Sequence, residues 1–509
     1  MFNPHVSRMK KIMKLMSLFF LIAATQYSCI NDADVETPVN PTPDSGGNLA
    51  LVFEIPNDSK TRSTESSGTV DKGTESEYKV HNLTLYLFDS FTKVYIESYN
   101  LSDFSFAANS DATVQYARKS VNVKPGKYNI FAIANSKDVS GKFTTQSQFL
   151  GLIDKDTYKE GLIPAVPGAN SGDTRKGFVM TNRGSANKNV TIEDTKTPTE
   201  VTISLERAVA KVEVSQVAKQ FVLSDSEGTY ATIVISSFRT LNLPTQFYLF
   251  RHTAVLNSME DKPASYSDIN FGNVNNTNGY VIDPYFFNKT VDGASDEGFN
   301  KRDGFYMNAL VDMEPNDSQN NWNPLGDNNF FYCLENCMFK EAQLNAYTTG
   351  LMFKATINIE PTRVFDATGN VANDPWSQNL FYVAHNFYTS IDAIRLKNPD
   401  YDIPKEAQDS WSVEELAKYH ITKIIKNVNY SCYYNYWIKH NTKSDINMDV
   451  MKYGIVRNNI YKVSITSVKD LGTGEPDKKP INPDDNKGQL DTKVEVFPWG
   501  VRDQNADLE

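Results

Sequence analysis

The feature that most restricts the fold of this chain is a period of two in its apolar residues, which recurs from residue 49 to residue 465. Leu49, Leu51, Phe53 and Ile55 share one phase and stop at Pro56, as a strand with a single buried face requires. The alternation returns at Leu83, Leu85 and Leu87, at Ile203 and Leu205, Val212 and Val214, and Ile233 and Ile235. It returns again at Leu351, Phe353, Ala355, Ile357 and Ile359, and at Tyr461, Val463 and Ile465. Tyr128 to Ala134 is apolar in both phases and follows the turn signal Lys124-Pro125-Gly126, so it is expected to be covered on both sides. Such a pattern specifies a mainly β chain. One helix is expected where Ser412 and Glu415 form a capping box and Val413, Leu416, Ala417, Ile421, Ile424 and Ile425 hold helical spacing. The 509 residues suffice for roughly two to four domains. Two β domains are the natural division, changing near Glu206.

The N-terminus reads as a processing signal. Arg8, Lys10, Lys11 and Lys14 precede an apolar stretch from Leu15 to Ala24, too short to cross a bilayer, and then come Ser28 and Cys29. Met9 is an alternative start to Met1. Cysteine directly after Ser28 resembles a bacterial lipoprotein signal, in which Cys29 is acylated and becomes the new N-terminus, although Gln26 and Tyr27 depart from the usual pattern. Plain secretion is the alternative. Residues 1–28 carry four positive and no negative charges, so their removal takes the net charge from −11 to −11 − 4 = −15. Attachment to a membrane is then by lipid rather than by charge. Residues 29–48, poor in apolar side chains, are expected to be a flexible spacer.

Composition removes several function classes. With 51 Lys+Arg against 62 Asp+Glu and no basic run beyond the leader, the chain is not a nucleic-acid binder. No two of the six His are close enough in sequence for a paired zinc motif, and no metal or other cofactor is expected. Cys333 and Cys337 lack a second pair for zinc and are a candidate disulfide, or two ordinary thiols. No nucleophile elbow, zincin motif or phosphate loop occurs, so no catalytic residue is assigned. Arg457, Asn458 and Asn459 read as the turn that opens a strand. Tyr433, Tyr434, Tyr436 and Trp437 read as the faces of a buried strand, with a sugar-stacking platform as the alternative.

Several blocks together resemble the Bacteroidales fimbrillin family, in particular its short-fimbria stalk subunits. They are Tyr434 to Asn441, Gly454 to Val463 and Val494 to Trp499, supported by Glu206 to Val212, Cys333 to Asn336, Thr348 to Gly350, Pro125 to Tyr128 and Ala134-Asn135. The resemblance implies two tandem transthyretin-like β-sandwiches with a few short helices, here 49–205 and 206–471. It also implies a lipoprotein precursor, anchored in the outer membrane by its N-terminal lipid and exported to a surface fimbrium that serves adhesion and biofilm formation. Partners are then further copies of the chain, fimbrial anchor and tip subunits, and an Arg- or Lys-specific protease.

In that family a protease cuts the loop after the first strand, the strand leaves, and a neighbour's C-terminal strand replaces it. Here the displaced strand is 49–55, with Leu49, Leu51, Phe53 and Ile55, and the loop is 57–77. Arg62 is the only arginine between Cys29 and Arg118, so the expected cut lies between Arg62 and Ser63, with Lys60 and Lys72 as alternatives. Arg62 as one more solvated loop charge is the plainer reading. Residues 472–489, with Pro476, Pro480 and Pro483, are expected to be an extended, unpaired linker. The segment 490–509 follows, with Val494, Val496, Phe497, Trp499 and Val501 as donor-strand side chains. That segment folding back as its own domain's last strand is the competing view. A tip or anchor subunit, and a glycan-binding surface lipoprotein using Trp411 or Trp437, are the alternative functions.

Overall fold

The computed structural model describes residues 48–55, 74–104, 107–108, 115–158, 177–183, 187–195, 197–255, 269–271, 279–289, 305–310, 322–326, 329–440, 451–477 and 489–498. Cys29, Lys60, Arg62, Ser63, Lys72, Trp499 and Val501 lie outside the described residues.

The first sheet is built from β1 (Asn48–Ile55), β2 (Asn82–Asp89), β3 (Tyr95–Ser102), β4 (Gln115–Asn122), β5 (Gly126–Ala134), β6 (Met180–Asn182) and β7 (Thr199–Arg207). Their order is β3-β2-β5-β6-β7-β1-β4, with Ala107–Ala108 beyond β4 and Asn187–Ile192 on β5. The uninterrupted apolar run in β5 has the cause expected of it, two covered faces. Ile130 and Ala132 join Leu83, Leu85, Leu87 and the β1 side chains in one core. Phe131 and Ile133 point the other way, with Tyr86 and Phe88, into a core shared with Phe247, Leu249, Phe250, Tyr332, Leu334 and Ile460.

The chain passes from the first sheet to a second layer at Arg207-Ala208-Val209. There β8 (Val209–Gln216), β9 (Phe221–Asp225), β10 (Gly228–Leu241), β11 (Asn329–Leu334), β12 (Gly350–Ile359), β13 (Ser431–Trp437), β14 (Asn459–Val468) and β15 (Leu490–Pro498) form two sheets. One runs β11-β8-β14-β15 and the other β9-β10-β12-β13. Val212, Val214, Phe331, Val463 and Ile465 meet Ile233, Ile235, Phe353, Ala355 and Tyr434 in a common core, the arrangement of a β-sandwich.

Three expectations are corrected. The capping box at Ser412 forms, with Glu415 N donating to Ser412 Oγ at 3.2 Å and Ser412 N to Glu415 Oε2 at 2.8 Å, but the helix is only Val413–Ala417. His420 turns the chain with φ of 56°, and Thr422–Ile424 pairs antiparallel with Leu380–Tyr382. Ile421 and Ile424 are buried as helical spacing required, yet Ile421 lies just before the strand and Ile424 within it, in two different cores. The candidate Cys333–Cys337 bridge is not formed. Cys333 faces the sandwich core from β11, whereas Cys337, past the strand end, lies in a separate aromatic core, and both thiols are free. The linker is not unpaired from its start, because Thr473 exchanges two backbone hydrogen bonds of 2.9 Å with Tyr433. A Cβ at Gly472 would stand 2.3 Å from the Tyr433 carbonyl oxygen, and one at Gly474 1.8 Å from that of Lys423. Glycine is there for close docking, not for flexibility.

Candidate functional site

β1 occupies a slot in the middle of its sheet. It runs antiparallel to β4, from Asn48 opposite Asn122 to Ile55 opposite Gln115, and parallel to β7, from Leu49 opposite Thr199 to Glu54 opposite Ser204. Leu49, Leu51, Phe53 and Ile55 are each 0% exposed, while Ala50, Val52 and Glu54 on the other phase are half-buried. Phe53 meets Phe104 edge-on at 5.6 Å, and Glu54 accepts a hydrogen bond from Ser204 Oγ. Burying four such side chains contributes about 6–12 kcal/mol as an upper bound. That is comparable to the net stability of a domain, about 5–15 kcal/mol. Withdrawal of β1 would also strand the facing backbone groups of β4 and β7, so the slot cannot stand empty without large cost.

The segment after β1 re-enters the described structure at Thr74, and the short helix Glu75–Tyr78 fastens it to the second layer. Glu77 is 1% exposed. Its Oε1 accepts from Tyr332 Oη at 2.7 Å and pairs with Lys211 Nζ at 3.1 Å. Its carbonyl accepts from Arg207 Nε at 2.8 Å. Burial disfavours the Lys211 ammonium, but Glu77 and Glu213 together overcome it and hold the group above its usual range. Arg207 also donates to Asn458 Oδ1 at 3.1 Å, and burial pushes its guanidinium down to about 10. Beside it, Glu206 pairs with Arg251 at 2.7 Å and Arg457 with Glu335 at 2.7 Å. Burial raises the Glu206 carboxyl despite Arg251 and Arg457.

Three blocks singled out in the sequence thus meet at one buried junction: 206–212, 333–336 and 454–463. Arg457 and Asn458 were read as a plain turn; Asn458 does turn the chain at φ of 58°, but both residues also carry this network. Glu77 and Arg251 were missed. A lone acid at the end of a polar loop gives no signal, since its partners lie 134 and 255 positions away: 211 − 77 and 332 − 77.

The C-terminal strand β15 lies at a sheet edge, antiparallel to β14, from Asn459 opposite Pro498 to Val468 opposite Leu490. Leu490 and Val494 are only partly buried against the sandwich core. Asp491 is gripped by Lys469 at 2.6 Å and Ser467 at 2.6 Å, which hold its carboxyl below the usual range. Val496 and Phe497 lie opposite Tyr461 and Ile460 in the ladder. On β13, Tyr433, Tyr434 and Trp437 are buried and Tyr436 is partly buried against the sandwich core, as on the faces of a packed strand.

The profile of the Fimbrillin-A associated anchor proteins Mfa1 and Mfa2 matches residues 39–296, and that of the C-terminal region of the type IV major fimbrial subunit protein, fimbrillin, matches residues 428–505. The chain belongs to the family of fimbrillin-A associated anchor proteins. It is a fimbrial subunit, and its family is structural rather than enzymatic. No curated protein matches this fimbrial chain. Among solved structures, it is similar to a candidate cell adhesion protein of Parabacteroides distasonis (14% identity, TM-score 0.40, covering 90% of this chain and 98% of that one). The tip fimbrial protein Mfa3 of Porphyromonas gingivalis matches at 13% identity and TM-score 0.34, over 89% of this chain and 100% of that one. A fimbrial assembly protein of P. distasonis matches at 10% identity and TM-score 0.32, over 84% and 93%. Likenesses at these scores add nothing to the geometry above.

Proposed function

We propose that this fimbrial subunit is a stalk component with two β-sandwich units dividing at Glu206, polymerised by protease-triggered strand exchange. The precursor is acylated at Cys29 and held in the outer membrane, cleaved after Arg62, and relieved of β1. A neighbour's Leu490 to Val501 segment then fills the slot. The observation that carries the reading is the placement of β1: the first described strand, followed in sequence by a polar segment, it supplies four fully buried side chains to the interior of a sheet, between β4 and β7. β15 lies at a sheet edge against one strand, and among its described side chains Leu490 and Val494 are only partly buried, whereas β1 is held between two strands. Strand exchange uses no catalytic group of this chain; the partners are copies of itself, anchor and tip subunits, and an Arg- or Lys-specific protease.

A second reading, a tip or anchor subunit, is favoured by one observation: β15 is already paired along β14 of its own chain. Mild trypsin treatment of the purified mature chain separates the two. A new N-terminus at Ser63 with detergent-resistant ladders, lost on truncation after Gly488, supports the stalk. Clean cleavage with a persistent monomer overturns it in favour of the tip or anchor.

A further inference from the structure

Asp283, Lys289 and Asn336 form a closed polar cluster in the aromatic core beside the junction. Asp283 follows the short strand Gly279–Ile282, Lys289 follows the helical turn Phe286–Asn288, and Asn336 lies just past β11. Their exposures are 1%, 0% and 0%. Lys289 Nζ stands 2.6 Å from Asp283 Oδ2, 3.0 Å from Asn336 Oδ1 and 2.6 Å from the Cys337 carbonyl oxygen. Asn336 Oδ1 also accepts from Tyr306 Oη at 3.2 Å. Its Nδ2 donates to the Tyr347 carbonyl at 2.7 Å and Thr349 Oγ1 at 2.8 Å, which fixes the amide plane. Tyr285, Phe305 and Tyr306 stack around the cluster, with ring centroids 4.5 and 4.9 Å apart.

We propose that the Lys289 and Asn336 side chains become joined by an intramolecular isopeptide bond, with Asp283 as the proton carrier. The chemistry needs an amine, an amide carbon and an acid held together without water, and all three are present. In an apolar enclosure a neutral amine and a neutral carboxylic acid are favoured over the ion pair, and burial moves both groups that way, Lys289 downward and Asp283 upward. The proton crosses the 2.6 Å contact from Nζ to Oδ2. The free amine is then the nucleophile, and Tyr306 Oη, which donates to Asn336 Oδ1, stabilises the charge that develops there. The Nζ–Cγ bond forms. Asp283 gives its proton to the departing Nδ2 and takes one from Nζ, the Cγ–Nδ2 bond breaks, and one ammonia leaves with no change of oxidation state. Fixed proximity replaces any external catalyst. The product ties the segment after Ile282 covalently to the end of β11, where the Asn336 backbone already exchanges hydrogen bonds of 3.0 and 2.9 Å with Ile455. This inference does not depend on strand exchange.

The test is the intact mass of the purified, denatured full chain, followed by mapping of its tryptic peptides. A mass lower by one ammonia than the processed sequence, with a branched peptide linking Lys289 to Asn336, is expected. Asp283→Ala is expected to restore the full mass and the two unlinked peptides. A wild-type chain of full mass overturns the proposal, whether or not the variant folds. So does an ammonia loss that maps to any other asparagine. A branched peptide that persists in Asp283→Ala overturns the role of Asp283.

Discussion

Phe53→Ala tests whether β1 is held by its buried phase. Phe53 is 0% exposed and packs on Phe104 at 5.6 Å, so its truncation leaves a cavity that the surrounding sheet can only partly close. Such a change costs about 3–5 kcal/mol. In the intact chain the loss is spread over the whole fold, but after a cut in the loop following β1 it falls on the retention of that strand alone. At about 1.4 kcal/mol per factor of ten, the nicked strand should leave between about a hundred-fold and a few thousand-fold faster. Val52→Ala is the control, since Val52 sits on the half-buried phase and its truncation should change release by about tenfold or less. The assay nicks each variant briefly with trypsin, quenches the protease, and follows the freed N-terminal peptide by size exclusion and mass spectrometry. Equal release from Phe53→Ala and Val52→Ala would refute the reasoning, because burial by phase would then have no hold on the strand.

Lys211→Met leaves the Glu77 carboxylate buried with Tyr332 as its remaining side-chain partner; a loss of about 3–5 kcal/mol is expected, read as a fall in the thermal unfolding temperature. His252 and His440 are buried neutral, with burial lowering both from 6.5 to about 3. The unfolded chain therefore takes up protons that the folded chain refuses, so their contribution is complete above pH 6.5 and fades as the pH falls toward 3. Chemical unfolding at a series of pH values should show each histidine costing about 1.4 kcal/mol per pH unit in that window, and His440→Gln should flatten the slope. Gly474→Val drives a Cβ into the Lys423 carbonyl and should undock the linker, making Glu475 a site for a glutamate-specific protease that the wild type resists.

Much of the sheet structure was legible because one buried face writes a period of two directly into the chain. Leu49 to Ile55, Leu351 to Ile357 and Tyr461 to Ile465 all lie in strands with the expected phase buried. The misreadings share a cause: local patterns underdetermine what long-range contacts decide. Ile424 satisfies helical spacing as well as strand pairing, and the neighbouring strand Leu380–Val383 selects between them. Gly472 and Gly474 look like flexible linker residues by composition, whereas they mark backbones in close approach. Cys333 and Cys337 are near in sequence, but the end of β11 sends their thiols into different cores. Of the candidate site, the buried phase of β1 was readable and the Glu77 fastening was not, since it exists only across the junction.

The position of β1 also bears on the order in which the molecule assembles itself. It is synthesised first, yet Glu54 lies 150 residues before Ser204, its partner on β7. A parallel pairing over so long a loop forms slowly and cannot begin until β7 exists. Among the described strands β4 joins the rest of the sheet only through β1, so the sheet closes only when β1 sits between β4 and β7, the last of the three to be made. The slot between β4 and β7 must therefore accept a strand that was made long before one of its two walls.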